Sequence, residues 1–378
     1  MFQLKVNTLF EMNTKAIVLF VCAVFLLHSI SAKIDHAPAA VVVFVPNPPP
    51  NHSLLKNENM TVIVDEFEKW CIVDKNDLKQ DQQATAFSEN DVIFKLFTLK
   101  NPSQPQDLIL YDRNILNKTN FDPKLPTRIL IHGWNSKIDL MGKFADAYFT
   151  KAKLNINLIG VDWTKGSNII SYLQASYNIK KVGAQVAHLI DFLIEMGMNS
   201  ALLAMIAGKW VTRARVPKMT GLDPALPLFK FNEVTKRLDK TDADYVEVII
   251  TCAGKLGFYL PIGHANFYPN GGRSQPECGM DLVGVCAHRR AYEYYLESIY
   301  HPEFYAFHCD SYTDLVKGEC SVVKRPVMMG GETGNTVRVE GVFYLITTGK
   351  SPFARGTDAV RTAIMDSIYK NESKKSRI

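Results

Sequence analysis

The sequence predicts an α/β fold, a mainly parallel sheet with helices on both faces. Two observations predict it. Short β-branched, apolar runs such as "DVIFKLFTL", "TRILIHGW" and "LNINLIGVDW" have the length and continuity of strands buried on both sides. Between such runs lie segments with apolar residues at helical spacing, the alternation that builds a parallel sheet under helices.

Taken in order, the chain opens on "MNTKAIVLFVCAVFLLHSISA", where Lys15 precedes an apolar run from Ala16 to Leu27 and then the small residues Ser29, Ser31 and Ala32. That order is a secretory signal peptide, and the run is too short to span ~30 Å of hydrocarbon. Residues 1–32 are read as the signal and 33–60, with "HAPAAVVVFVPNPPPNHS", as a Pro-rich leader that packs poorly. The main domain is assigned to 61–356. In it, "KIDLMGKFADAYFTKA" has helical spacing, and "YNIKKVGAQVAHLIDFLIEMG" is a long amphipathic helix stopping at Gly197. "RVPKMTGLD" and "YVEVIIT" continue the sheet. "ALLAMIAGKWV" reads as a helix, so no strand is expected between Trp163 and Val216. Residues 357–378 form a solvated tail.

At 378 residues, 47% hydrophobic and 21% charged, the chain can bury a sizeable core. A net charge of +5 spread along it is too weak for nucleic acid as a partner, whereas an anionic lipid surface stays open. Of seven cysteines, Cys22 falls in the signal. The six that remain imply disulfides in an exported chain. Many pairings are open; proximity favours Cys278 with Cys286 and Cys309 with Cys320, and leaves Cys71 and Cys252 unassigned. Sequons at Asn51, Asn59, Asn117 and Asn371 suit a glycosylated, secreted surface.

Ligands in such sheets bind outside the carboxyl ends of the strands. "ILIHGW" ends a strand in a turn at Gly133, with the Trp134 N–H directed to a developing oxyanion. "TGLDPALPLF" ends another at Asp223, and "CAHRRAYEYYLESI" puts His288 on a loop just before a helix. Singly, a strand-end Asp is a turn residue and a loop His a solvated side chain. Together, an acid followed by a histidine behind an HGW turn is the downstream part of a serine–acid–histidine order.

These blocks, with "GVDW", "GHANFYPNGG" and "YLITTGKSPFARG", resemble the animal lipase family of pancreatic, lipoprotein and phospholipase A1 type, which includes dipteran yolk proteins. The likeness runs over about residues 65–355 and finds no counterpart of the family's second, sandwich-type domain. The resemblance implies an α/β-hydrolase fold, with Asp223 as triad acid, His288 as triad base, Trp134 in the oxyanion loop and lipid esters as substrates. It makes "KRLDKTDADYVEV" the calcium-loop region, where Asp239 and Asp242 could reach one Ca2+; the alternative is two solvated acids, and no cofactor is required. Cys278 and Cys286 enclose only "GMDLVGV", and "CAGKLGFYLPIGH" is also short, which resembles the phospholipase A1 branch and an open site.

One landmark is missing. The family places a strand, a G-x-S-x-G turn and a helix before the strand that ends at Asp223. Here "MNSALLAMIAGKWVTRARVP" alone fills that interval, and no G-x-S-x-G occurs anywhere in the chain. Ser200 has no glycine two residues away on either side. The nucleophile strand and elbow are thus expected to be absent, leaving "INLIGVDW" and "VPKMTGL" to pair directly or stay unpaired at ~1–3 kcal/mol per backbone group. Losing a triad nucleophile costs on the order of 10⁶ in kcat. The sequence is therefore read as a secreted lipase-family pseudoenzyme that meets lipid or phospholipid, at a membrane or lipoprotein surface. The alternatives are a yolk-like storage protein, a product that does not fold, and an active phospholipase A1-type lipase whose elbow this sequence lacks. No segment specifies an oligomeric state.

Overall fold

The computed structural model describes residues 43–45, 60–64, 70–74, 87–134, 139–167, 172–200, 203–206, 216–282, 284–318, 320, 325–332 and 338–358. The predicted signal, residues 1–32, and most of the tail lie outside them. Within the predicted leader, β1 (Val43–Val45) pairs antiparallel with β3 (Trp70–Asp74), which also pairs with β2 (Met60–Val64).

The strands from residue 93 onward assemble into one eleven-stranded sheet, which includes every strand predicted from the sequence. In chain order they are β4 (Ile93–Phe97), β5 (Gln106–Leu108), β6 (Thr127–Ile131), β7 (Asn157–Asp162), β8 (Leu203–Ile206) and β9 (Lys218–Leu222). There follow β10 (Val246–Ile249), β11 (Ala265–Pro269), β12 (Tyr305–Cys309), β13 (Val327–Met328) and β14 (Gly341–Leu345). Their spatial order is β13-β12-β14-β11-β10-β9-β8-β6-β7-β4-β5. From β7 to β14 every pairing is parallel; the two edges are antiparallel.

β8 overturns one expectation. Leu203–Ile206 is a strand, not part of a helix, and it pairs parallel with β6 (Leu130↔Ile206) and β9 (Ile206↔Thr220). Its neighbour on the β6 side also differs: "TRILI" flanks it, and "NLIGVD" lies one strand further out. The physical reason is tertiary. A gap between β6 and β9 would leave two ladders of backbone donors and acceptors unpaired, a cost that outweighs the weak helix preference of four apolar residues. The central strand is therefore present, and residues 207–217 join it to β9.

The core explains why these runs are apolar on both sides. Ile129, Ile159 and Val248 pack on one face with Val182, Val186, Leu189 and Leu193 of the helix Tyr172–Glu195. Their sequence neighbours Leu130, Leu158 and Ile249 pack on the other. There they meet Met141 and Phe144 of the helix Asp139–Ala145, Tyr148 of the following π-helical turn, and Tyr294 and Tyr295 of the helix Val285–Ser298. Alternation of neighbours between two covered faces is the signature of a parallel sheet under helices on both sides. The helix Tyr172–Glu195 returns the chain from β7 past β6 to β8, so the strand order reverses at β6 and β8. The carboxyl ends of the strands at such a switch point form a crevice.

Candidate functional site

Asp223 directly follows β9 and is 1% exposed. Its backbone sits at φ +46°, a left-handed conformation that Asp tolerates better than most residues. The carboxylate is held from two sides. Oδ1 accepts the N–H of Thr251 (2.8 Å) and of Cys252 (2.9 Å), the second and third residues past β10, and Oδ2 bonds His288 Nδ1 at 2.5 Å. Buried N–H groups aimed at one oxygen fix the carboxylate, and its other oxygen is left to the imidazole.

His288 lies in the first turn of the helix Val285–Ser298, not on the loop expected before it. The helix begins early because Asp281 caps it, accepting Gly284 N–H at 3.1 Å and Ala287 N–H at 2.8 Å. Cys286, in the same turn, is tied to Cys278. Asp281 and the disulfide thus set the axis of the turn that carries His288. Burial works against a charged imidazole here, but the hydrogen bond and charge of Asp223 outweigh it, and the His288 pKa is raised above the ordinary 6.5. With Nδ1–H given to the carboxylate, Nε2 is the nitrogen left to take up or deliver a proton.

Trp134 occupies the turn after β6 and is 43% exposed. The turn is gripped by two residues that the motifs "IHGW" and "GVDW" contain but whose roles sequence reasoning missed. The Trp163 indole N–H donates to the His132 carbonyl at 2.7 Å, and the two rings stack at 5.6 Å. His132 Nε2 accepts the Trp163 backbone N–H (3.2 Å), which leaves the proton on Nδ1 for the Gly133 carbonyl at 3.0 Å. A Gly133 carbonyl held inward turns the Trp134 N–H of the same planar peptide the opposite way.

Other predicted residues fall elsewhere. Ser200 precedes β8, at the opposite end of the β8–β9 pair from Asp223, so the fold does not bring it to His288. Asp239 and Asp242 form a reciprocal cap on the turn Lys240–Asp242. Asp239 Oδ1 accepts from Thr241 N (3.1 Å) and Oγ1 (2.9 Å), and Asp242 Oδ2 from Asp239 N (2.9 Å). The Arg237 guanidinium stands 3.1 Å from the other Asp239 oxygen, where a calcium ion would need to be. As placed, these acids do not fit a cation site, and no step is assigned to a metal. Cys278, Asp281 and Cys286 also cluster, but both sulfurs are spent in the disulfide. Both favoured pairs are bonded, Cys278–Cys286 and Cys309–Cys320, and Cys252 is a buried free thiol.

A buried strand-end acid holding a histidine, on a mainly parallel sheet with helices on both faces, is the arrangement of an α/β-hydrolase. Comparison with known proteins narrows it. The family described as Lipase matches residues 59–353. Over 307 residues the chain is 35% identical to human inactive pancreatic lipase-related protein 1, covering 69% of this chain and 64% of that one. Over 308 residues it is 34% identical to pig pancreatic triacylglycerol lipase, covering 70% and 67%. The chain thus spans less than two thirds of the length of the first of these relatives. It belongs to the lipase family.

Proposed function

We propose that this chain is a secreted, lipid-directed protein that binds lipid esters at the open end of its sheet. Lacking a nucleophile, it does not hydrolyse them by a serine route. One observation carries the reading. The His288–Asp223 hydrogen bond is intact, while the sequence between β8 and β9, residues 207–217, contains no G-x-S-x-G. A base and its orienting acid accelerate nothing by this route without the hydroxyl they activate.

Exposed apolar side chains support a lipid partner. Met280, Leu282 and Val285 are 84%, 52% and 52% exposed in the loop closed by Cys278 and Cys286, just ahead of His288. Neighbouring large apolar residues in water favour contact with a lipid surface. The two disulfides favour an oxidising, extracellular setting. Flotation with phosphatidylcholine vesicles tests the reading. The chain should float with the vesicles, and M280D and L282D should each weaken binding about tenfold, from ~1.5 kcal/mol of lost burial per side chain. A chain that stays at the bottom of the gradient, or variants that float as well as it does, would contradict it.

The complete cradle around Asp223 favours a second reading, in which a longer transcript supplies the turn. That form would be a phospholipase A1-type hydrolase whose serine attacks the ester carbonyl while His288 takes its proton and Asp223 orients His288. Sequencing the transcript from Asn199 to Val216 distinguishes the two: an in-frame G-x-S-x-G segment supports the hydrolase, and an uninterrupted junction excludes it.

A further inference from the structure

The loop after β10, residues 251–258, touches both Asp223 and the segment that caps the His288 helix. Its backbone runs beside the residues that follow Asp223: Leu226 N–H donates to Leu256 O (2.8 Å) and Phe258 N–H to Pro224 O (2.9 Å). Gly257 sits between these bonds, its own N–H on Cys252 O (3.1 Å) and its carbonyl accepting from Gly254 N (2.9 Å). On the other side, Cys252 Sγ lies 3.2 Å from the carbonyl of Gly284, the residue that caps the His288 helix. Lys255 Nζ reaches the Asp281 carbonyl of the capping loop.

Gly257 faces the Asp223 carboxylate with no side chain between. A Cβ at this position would lie 2.6 Å from both Cγ and Oδ2 of Asp223, and closer still to Oδ1. Four backbone hydrogen bonds hold the main chain at 256–258 in place, so the backbone cannot retreat. The carboxylate is the part free to rotate, and rotating it breaks its bonds to Thr251 N, Cys252 N and His288 Nδ1. We propose that Gly257 is a positioning residue: its missing side chain makes the room that sets the Asp223 carboxylate on His288. Glycine is needed here for close approach and not for a left-handed backbone, because its φ lies outside that range. Gly254, in the same loop, is the reverse case, with φ +77° and open space where a Cβ would go.

That contrast makes the test. The inference rests on reading Asp223 and His288 as one acid–base pair, but titration needs no turnover, so the two can fail separately. The His288 imidazole would be titrated by NMR in the full chain, in Gly257→Ala and in Gly254→Ala. Gly257→Ala should lower the midpoint, because burial is then no longer offset by Asp223, while Gly254→Ala should leave it in place despite its backbone strain. A folded Gly257→Ala with the parent midpoint, or an equal fall in Gly254→Ala, would overturn the proposal. Thermal melts give a second arm that does not depend on resolving His288. In an Asp223→Ser background, which shortens the side chain but keeps an oxygen for the N–H groups, Gly257→Ala should no longer lower Tm. The same loss of Tm in that background as in the parent chain would also overturn it.

Discussion

Replacing Asp223 separates what its carboxylate does for the fold from what it does for His288. In Asp223→Ala, the N–H groups of Thr251 and Cys252 lose the oxygen that accepts them, and both residues are fully buried. Each unsatisfied buried donor costs ~1–3 kcal/mol, so the pair should cost about 2–6 kcal/mol. That is a large part of the ~5–15 kcal/mol that holds a typical domain together. Asp223→Asn keeps one oxygen for both N–H groups and should cost much less. Its amide NH2 must then face His288 Nδ1, which forces the imidazole proton onto Nε2. The sign of the pH dependence follows from the raised His288 pKa. Asp223 stabilises the protonated imidazole, so this contribution is fully present below the unfolded value near 6.5 and is lost as pH rises through the folded one. Urea unfolding across the neutral range measures both effects. Asp223→Ala should unfold at markedly lower urea at every pH. Asp223→Asn should keep most of its stability but lose the extra stability on the acid side. An alanine variant as stable as the parent would show that Thr251 and Cys252 find other acceptors, and would refute the role given to the cradle.

Other expectations concern the scaffold. Arg128 and Glu332 form a bidentate pair, with the Tyr148 hydroxyl donating to the same carboxylate at 2.9 Å. Arg128→Ala should cost ~3–5 kcal/mol in chemical denaturation, whereas Arg128→Met with Glu332→Leu should recover most of it. Burial opposes the Glu332 charge, but Arg128 overrides it and depresses the carboxyl pKa, so the pair's contribution should fade as pH drops through that lowered value. Replacing Cys278 and Cys286 together by Ser opens a loop of sequence separation 8 and should cost about 2–3 kcal/mol of stability, read as a lower Tm.

How much of this is legible in the sequence depends on where each feature's cause lies. Strands such as Thr127–Ile131 and Asn157–Asp162 carry it in their own side chains, apolar on both faces, and are legible as strands. Leu203–Ile206 carries it in its neighbours. "LAMI" has no strong preference, and only the open ladders of β6 and β9 make it a strand. The early start of the His288 helix comes from Asp281, whose capping role depends on a disulfide-closed loop geometry that spacing does not reveal. Asp223 and His288 are legible from their order in the chain, and the structure brings them together. Gly257 gives no signal of its own, because its role is defined by an atom that is absent. Asp239 and Asp242 show the opposite failure: suitable ligand chemistry, taken up by a local cap and an arginine.

The central claim is that the acid and base persist without a nucleophile to serve. It is tested most directly by the rate at which the purified chain hydrolyses p-nitrophenyl butyrate, set against the rate of His288→Ala. The account predicts equal rates, since on the proposed reading no serine hydroxyl relies on His288 to attack an ester. A fall of about a hundredfold or more in His288→Ala, the contribution expected of a working general base, would contradict it and place a nucleophile within reach of that imidazole.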